Sequence, residues 1–113
     1  MRSRDVRVYL TDILRAAEAV QQFAEGETLD SYLGDLKLRS AVERQFEIIG
    51  EALAQARAVD PNLVEGIANS TAIIGFRNQL IHGYALVDDE IVWGNVERLP
   101  GLAADVERAL EAR

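Results

Sequence analysis

The longest apolar-periodic stretch of the chain is residues 35–58, DLKLRSAVERQFEIIGEALAQARA. Its apolar residues recur at three- and four-residue steps, which predicts one long α-helix. They cover a broad arc of that helix, so we expect it to be buried on more than one side. These positions are Leu38, Ala41, Val42, Phe46, Ile48, Ile49, Ala52, Leu53 and Ala56.

Two polar features interrupt this apolar pattern. Arg44, Glu47 and Glu51 are spaced three and four residues apart, so they share one face of the helix. They could form a solvated ladder of ion pairs, or a polar seam beside an active site or a subunit contact. Gly50 lies in mid-helix, where glycine costs about 1 kcal/mol relative to alanine, and this suggests that another helix approaches closely there.

Before the long helix, the sequence predicts one more long helix and a short one. Residues 4–25 carry an amphipathic stripe at helical spacing, and Gly26 is placed to end that helix. Thr28 can cap a short helix or turn, which Gly34 closes.

After the long helix, Asp60-Pro61 is a turn signal, and residues 62–69 predict a short helix. Ser70 or Thr71 can cap a further helix that runs to about His82.

The remaining chain predicts a connector and two helices. Residues 84–87 form the connector, and Asp88 or Asp89 can cap a helix through about Glu97. Pro100 is expected to open a last helix, because proline is favoured in a first helical turn. Strand alternation is missing from the sequence, so the predicted fold class is all-α, a bundle of four to six helices.

Length and composition limit the classes of protein to which this chain can belong. The 113 residues predict a single domain over 1–113, and the net charge of −7 argues against broad electrostatic binding of nucleic acid. Without cysteine and with one histidine, a thiolate or zinc site is not expected, and we predict no cofactor. The sequence shows neither a signal peptide nor an apolar run long enough for a membrane span, so we expect a cytoplasmic protein.

The candidate site lies in residues 77–84, RNQLIHGY. It brings a guanidinium, an amide, an imidazole and a phenol to one helix end: Arg77, Asn78, His82 and Tyr84. Such a set can bind a phosphate and move a proton near neutral pH. Gly83 can take a left-handed conformation and end the helix.

The helical geometry sets a condition on this site. Arg77 and His82 are about 140° apart around a helix, so they converge only through the reach of the arginine or across a subunit boundary. A structural alternative is that His82 caps helix carbonyls while Tyr84 packs on the core.

Four stretches carry a resemblance to a known family. They are residues 9–14 (YLTDIL), 44–52 (RQFEIIGEA), 75–84 (GFRNQLIHGY) and 87–93 (VDDEIVW). Together they resemble the HepT-like proteins of the HEPN superfamily, the toxin half of HEPN–minimal nucleotidyltransferase toxin–antitoxin systems. The third stretch matches the family's R-x4-H-x-Y motif. Where relatives often carry an Ile-Pro-Trp-like segment, this chain reads Ala68-Asn69-Ser70.

The resemblance implies an up-and-down helical bundle that acts as a metal-independent endoribonuclease. Arg77 would hold the RNA phosphate, His82 would be general base or acid, and Asn78 would orient His82 or donate to the phosphate. Arg44 and Glu47 would support the site. Tyr84 is similar to the tyrosine that the nucleotidyltransferase antitoxin modifies with AMP.

The resemblance also implies a homodimer with a composite cleft, which would meet the geometric condition on Arg77 and His82. We expect the motif helix and its neighbours to form the dimer contact, with an apolar surplus at Phe46, Ile49, Ile73 and Ile81. The alternative hypothesis is a non-catalytic helical dimer that binds nucleotide or regulates a partner nucleotidyltransferase. The net charge of −7 gives that alternative some weight.

Overall fold

Side-chain caps begin most of the helices in the computed structural model, which describes residues 5–113 apart from the side chain of Tyr84. The α-helices are α1 (Val6–Ala24), α2 (Leu29–Leu33), α3 (Leu36–Val59), α4 (Pro61–Glu65), α5 (Ser70–His82) and α6 (Asp89–Glu111). A 3-10 turn, Tyr84–Leu86, joins α5 to α6. No strand occurs within residues 5–113, and the predicted all-α fold is confirmed.

Side-chain caps begin α2, α3, α4 and α6, and the caps of α2 and α6 are those that the sequence predicts. Thr28 and Ser31 form a reciprocal capping box at α2. Asp35, Asp60 and Asp88 each accept a hydrogen bond from a backbone N–H in the first turn of α3, α4 and α6. These bonds satisfy N–H groups that have no partner inside the helix. At α1, the predicted start at Arg4 lies outside the described residues, and Asp5 is the cap.

The long helix α3 lies at the centre of the bundle. It packs against α1 on one side and α5 on another, while α6 packs against α1. Phe46, Ile49 and Leu53 of α3 are fully buried, as the broad apolar arc predicted. A T-shaped pair of rings, Phe46 and Phe76 with centroids 5.9 Å apart, joins α3 to α5 in the core.

Helix α5 begins differently from the prediction. Neither Ser70 nor Thr71 is the cap, because Asn69 takes that position in a left-handed conformation with φ 66°. Asn69 Nδ2 donates to Asn95 Oδ1 of α6 at 3.4 Å, and the buried Ser70 Oγ donates to the Val64 carbonyl at 3.0 Å. The Ala68 N–H donates to Asp105 Oδ2 of α6 at 2.9 Å. Contacts with α4 and α6 therefore position the motif helix where a local cap was expected.

Two predicted boundaries were wrong. The short helix α4 ends at Glu65 and not at Asn69, because the next N–H groups turn back to α4: Gly66 to the Leu63 carbonyl at 3.2 Å and Ile67 to that of Val64 at 3.0 Å.

Pro100 does not open a new helix but lies inside α6. The buried stripe of α6 continues on both sides of it, at Val92, Val96, Leu99, Leu102 and Val106. Packing of this stripe outweighs the cost of about 3 kcal/mol for proline in a helix interior.

Candidate active site

The motif helix α5 crosses α3 at Gly50. A Cβ atom added at Gly50 would lie 2.5 Å from the Cβ of Arg77 and 3.1 Å from the Ile73 carbonyl oxygen. Such a distance to Arg77 is well inside the contact distance of two carbon atoms, about 3.5–4.0 Å. Glycine is therefore required for this crossing, which confirms the close approach that the sequence predicted at Gly50.

The guanidinium of Arg77 is held at this crossing by two partners. Its Nη1 donates to Glu51 Oε2, while its Nε and Nη2 donate to Asn78 Oδ1 at 3.3 and 2.7 Å. The Arg77 side chain is 20% exposed. Asn78 therefore orients Arg77, and neither donates to nor accepts from His82, which was one of the roles expected for it.

The polar face of α3 extends from this ion pair. Arg44 pairs with Glu47 at 3.1 Å, as the spacing predicted. Glu51 uses both carboxylate oxygens, since Oε1 accepts a hydrogen bond from Gln55 Nε2 at 2.9 Å and Oε2 accepts from Arg77. The sequence placed Glu51 on one face with Arg44 and Glu47, but only Arg44 and Glu47 were named as supporting residues. Glu51 is the direct partner of Arg77. The available signal was its position next to Gly50, the residue at which α5 comes close.

A groove of about 530 Å³ runs along this face between α1, α3 and the end of α5. It is lined by Tyr9, Asp12, Arg44, Glu47, Ile48, Glu51, Ala52, Gln55 and Ile81. Three acidic side chains and one arginine make its lining acidic. It has room for a small ligand or for part of a nucleotide. Among the residues that the structure describes, no cluster of three or more acidic or histidine side chains is arranged to bind a metal ion.

His82 is the last residue of α5 and its side chain is exposed. No described side chain or carbonyl within residues 5–113 forms a hydrogen bond with its imidazole, so neither ring nitrogen is occupied by a described partner. The hydrogen-bond partners of Arg77 are Asn78 and Glu51 and do not include His82, in agreement with the separation of Arg77 and His82 by about 140° around the helix. The proposed capping of helix carbonyls by His82 is not observed.

Gly83 ends α5 as predicted, but its conformation is not left-handed. Its φ is −123°, and its N–H donates to the Gln79 carbonyl at 2.8 Å. The chain then continues directly into the 3-10 turn, in which the Leu86 N–H donates to the Gly83 carbonyl at 2.8 Å. The backbone of Tyr84 begins this turn, and its side chain lies outside the described part of the structure. Its predicted role as AMP acceptor stays a prediction.

The apolar surplus expected at the dimer contact needs correction. Phe46, Ile49 and Ile73 are 0–1% exposed, because they fill the core of one protomer. Ile81 is 48% exposed, and two further exposed apolar residues, Leu86 and Ile91, follow it in the chain. Exposed apolar side chains are therefore present at and after the end of α5, but they are not the set that was expected.

Two groups with shifted pKa values lie away from this site. Tyr32 is fully buried against Trp93, with ring centroids 5.2 Å apart, and burial raises the pKa of its phenol. Burial and the charge of Asp89 raise the pKa of Glu43. Both groups lie where α2 and α3 meet the start of α6, and they have no part in the candidate site.

Comparison with known proteins identifies the family. The family model described as "Ribonuclease HepT-like" matches residues 13–109. A protein of Methanocaldococcus jannaschii named "Putative RNase MJ1380" is 34% identical over 110 residues, covering 95% of this chain and 98% of its own. "Probable ribonuclease HepT" of Thermococcus cleftensis is 32% identical over 109 residues, covering 93% of this chain and 96% of its own.

A bacterial relative shows similar coverage. "Putative RNase TTE0752" of Caldanaerobacter subterraneus subsp. tengcongensis is 30% identical over 112 residues, covering 93% of this chain and 94% of its own. No solved structure matches. No helix among the described residues is both long and apolar enough to span a bilayer. The family model covers most of the chain and these relatives cover nearly all of it, so this protein belongs to the HepT-like ribonuclease family.

Proposed function

We propose that this protein is a metal-independent endoribonuclease that acts in the cytoplasm as the toxin of a toxin–antitoxin pair. The observation that carries the proposal is the contrast within the motif helix of a HepT-like chain. Arg77 is oriented by Asn78, whereas His82 is exposed and makes no hydrogen bond to the described residues. An oriented cation suits phosphate binding, and an exposed imidazole suits proton transfer.

The proposed reaction is an attack of the RNA 2′-hydroxyl on the adjacent phosphate. The bond from O2′ to phosphorus forms while the bond from phosphorus to O5′ breaks. One imidazole accepts the 2′-hydroxyl proton, and an acid gives a proton to the departing 5′-oxygen. Arg77 stabilises the negative charge that accumulates on the phosphate oxygens. Asn78 offers its amide N–H groups to the same phosphate, because its oxygen already accepts from Arg77.

We propose that the site is completed in a homodimer through α5 and its neighbours. A two-fold axis would place Arg77 of one protomer beside His82 of its partner, and could supply both an acid and a base. The exposed Ile81, Leu86 and Ile91 support this contact. Light scattering at micromolar concentration is expected to give twice the mass of the 12.5 kDa chain. A monomer mass would contradict the proposal.

The test of catalysis uses purified protein, RNA and excess EDTA. Cleavage is expected to continue in EDTA and to be lost in Arg77→Ala and His82→Ala. Arg57→Ala is the matched control, because Arg57 is an exposed arginine of α3 outside the site, and its loss should leave cleavage intact. Cleavage that needs added magnesium, or that persists in His82→Ala, would refute the mechanism.

The proposed regulation is AMP transfer to Tyr84 by a minimal nucleotidyltransferase partner. Tyr84 is two residues from His82 in the chain, so the negative phosphodiester of an attached AMP would lie near the motif and could pair with Arg77. After incubation with the partner and ATP, intact-mass analysis should show an AMP-sized addition on the wild type and none on Tyr84→Phe. An equal addition on both proteins would exclude Tyr84 as the acceptor.

A second candidate function is a non-catalytic dimer that binds nucleotide or regulates the partner enzyme. The acidic lining of the groove and the net charge of −7 favour it, because both oppose extended contact with RNA. The cleavage test separates the two functions. Nucleotide binding without any RNA cleavage by the wild type would support the second.

A further inference from the structure

The starting observation is that every nitrogen of the Arg77 guanidinium already donates one hydrogen bond. Phosphate is bound most strongly by two parallel N–H groups of a guanidinium. In this structure Nε and Nη2, which form one such edge, donate to Asn78 Oδ1, and Nη1 donates to Glu51 Oε2. An RNA phosphate therefore meets an arginine that already has an anionic partner.

The two members of the ion pair differ in their freedom to move. Arg77 is 20% exposed and its Cβ lies against Gly50, so the crossing of α3 and α5 restricts it. Glu51 is 52% exposed and projects along the groove, where Gln55 is its other partner. Rotation of Glu51 into solvent would free Nη1 of Arg77 without a change in the packing of α5.

We infer that Glu51 is a displaceable carboxylate that occupies Arg77 in the absence of substrate and must be replaced by the RNA phosphate. This inference rests on the proposed function, in which Arg77 binds that phosphate. Glu51 then acts as a specificity-determining residue. A small anion that binds through one phosphate alone competes poorly with the internal carboxylate. RNA makes further contacts besides the one to this phosphate, and the additional binding energy displaces Glu51.

The direct test is the variant Glu51→Gln, which keeps the size of the side chain and removes its charge. The KM for RNA is expected to fall about three- to fivefold, the effect expected for loss of one partly exposed ion pair, while kcat stays within about twofold. Binding of inorganic phosphate should tighten by a similar factor. Phosphate binding can be followed by NMR of the Arg77 side-chain nitrogens, which needs no catalysis.

Two further variants distinguish direct competition by Glu51 for Arg77 from a general effect of negative charge in the groove. Glu51→Asp keeps the charge but is one methylene shorter, so it should also lower KM. Asp12→Asn removes a charge from the same groove but not from the partner of Arg77, so it should lower KM by less than Glu51→Gln. Equal effects of Asp12→Asn and Glu51→Gln, or a wild-type KM in Glu51→Asp, would overturn the inference.

The other possible results for Glu51→Gln also test the inference. A large fall in kcat with unchanged KM in Glu51→Gln would mean that Glu51 positions Arg77 for catalysis and does not compete with substrate. Unchanged KM, kcat and phosphate binding would likewise overturn the inference. If the wild type cleaves no RNA but Glu51→Gln binds phosphate more tightly, the proposed function fails and the inference about Glu51 stands.

Discussion

The substitution Gly50→Ala tests the helix crossing on which the candidate site depends. It adds one methyl group where α3 meets α5. Two opposing effects follow. Alanine in a helix interior is favoured over glycine by about 1 kcal/mol. The new Cβ would, however, lie 2.5 Å from the Cβ of Arg77 and 3.1 Å from the Ile73 carbonyl.

The steric effect should be the larger one. Relief of the contact with Arg77 requires the helices to separate by about 1 Å, because two carbon atoms need about 3.5–4.0 Å. Both atoms in the way are on or next to the backbone of α5, so no flexible side-chain end can move aside. Overpacking of this kind typically costs about 1–3 kcal/mol. After subtraction of the propensity gain, we expect a net loss of about 1–2 kcal/mol in the free energy of unfolding.

The same displacement should also reduce cleavage. A shift of about 1 Å in a catalytic group can cost on the order of 100-fold in rate, so we expect kcat/KM to fall by about 10- to 100-fold. Stability is measured by urea and thermal unfolding, and activity is measured on the folded variant well below its melting temperature.

Gly101→Ala is the matched control. Gly101 also lies inside a helix, α6, and an added Cβ would have no neighbour within 4 Å. The free energy of unfolding of Gly101→Ala should therefore rise by up to about 1 kcal/mol, because alanine has the higher helix propensity. If Gly50→Ala were as stable and as active as Gly101→Ala, the crossing would not need glycine and the reasoning would be refuted.

Four further predictions follow from other parts of the structure. Tyr32→Phe should stabilise the fold by about 1 kcal/mol, because the buried Tyr32 hydroxyl has no hydrogen-bond partner among the described residues; a loss of stability in urea unfolding would show that it has one. Pro100→Ala should raise the melting temperature, since it restores a hydrogen bond to α6 and removes a poor helix former, and an unchanged melting temperature would contradict this. Hydrogen bonds from Arg113 and from the Leu63 N–H lower the pKa of Asp60, so its contribution to stability is full above the ordinary value of 3.8 and is lost as the pH falls through the lower folded value; Asp60→Asn should flatten this part of the pH–stability curve. For RNA binding, contact by Arg77 of two protomers predicts a shallow salt dependence, with a log–log slope of about −1 to −2, and a much steeper slope would indicate a wider basic surface.

The fold was predictable from the sequence wherever a local signal set the structure. The apolar spacing in residues 35–58 required a helix buried on several sides, and α3 is that helix. Thr28 and Asp88 were recognisable as caps because capping needs only a side-chain oxygen and the next N–H groups in the chain.

The errors occurred where distant contacts overrode the local signal. Asn69 begins α5 in a left-handed conformation because its partner is Asn95, 26 residues away. Pro100 was predicted to start a helix, but it lies on the exposed side of α6, and the opposite face of α6 is buried along its length. A short window of sequence shows neither the contact between Asn69 and Asn95 nor the continuous burial of the helix face opposite Pro100.

The site shows the same division between local and distant information. The motif residues Arg77, Asn78 and His82 were found from their spacing, and their catalytic roles stay predictions. What the spacing could not give was the partner of Arg77 across the helix crossing. The signal was present as two neighbouring residues, Gly50 and Glu51, but its meaning depends on which helix packs against them.

An acidic chain can still bind a phosphate if single, well-placed contacts provide the binding rather than the overall charge. A net charge of −7 weakens general attraction to RNA, and three of the carboxylates line the groove beside Arg77. Phosphate binding must then come from one well-oriented guanidinium, and Asn78 supplies that orientation. The Glu51 carboxylate competes with the phosphate for the same guanidinium. Glu51 therefore favours substrates that make several contacts with the protein over free anions that make one.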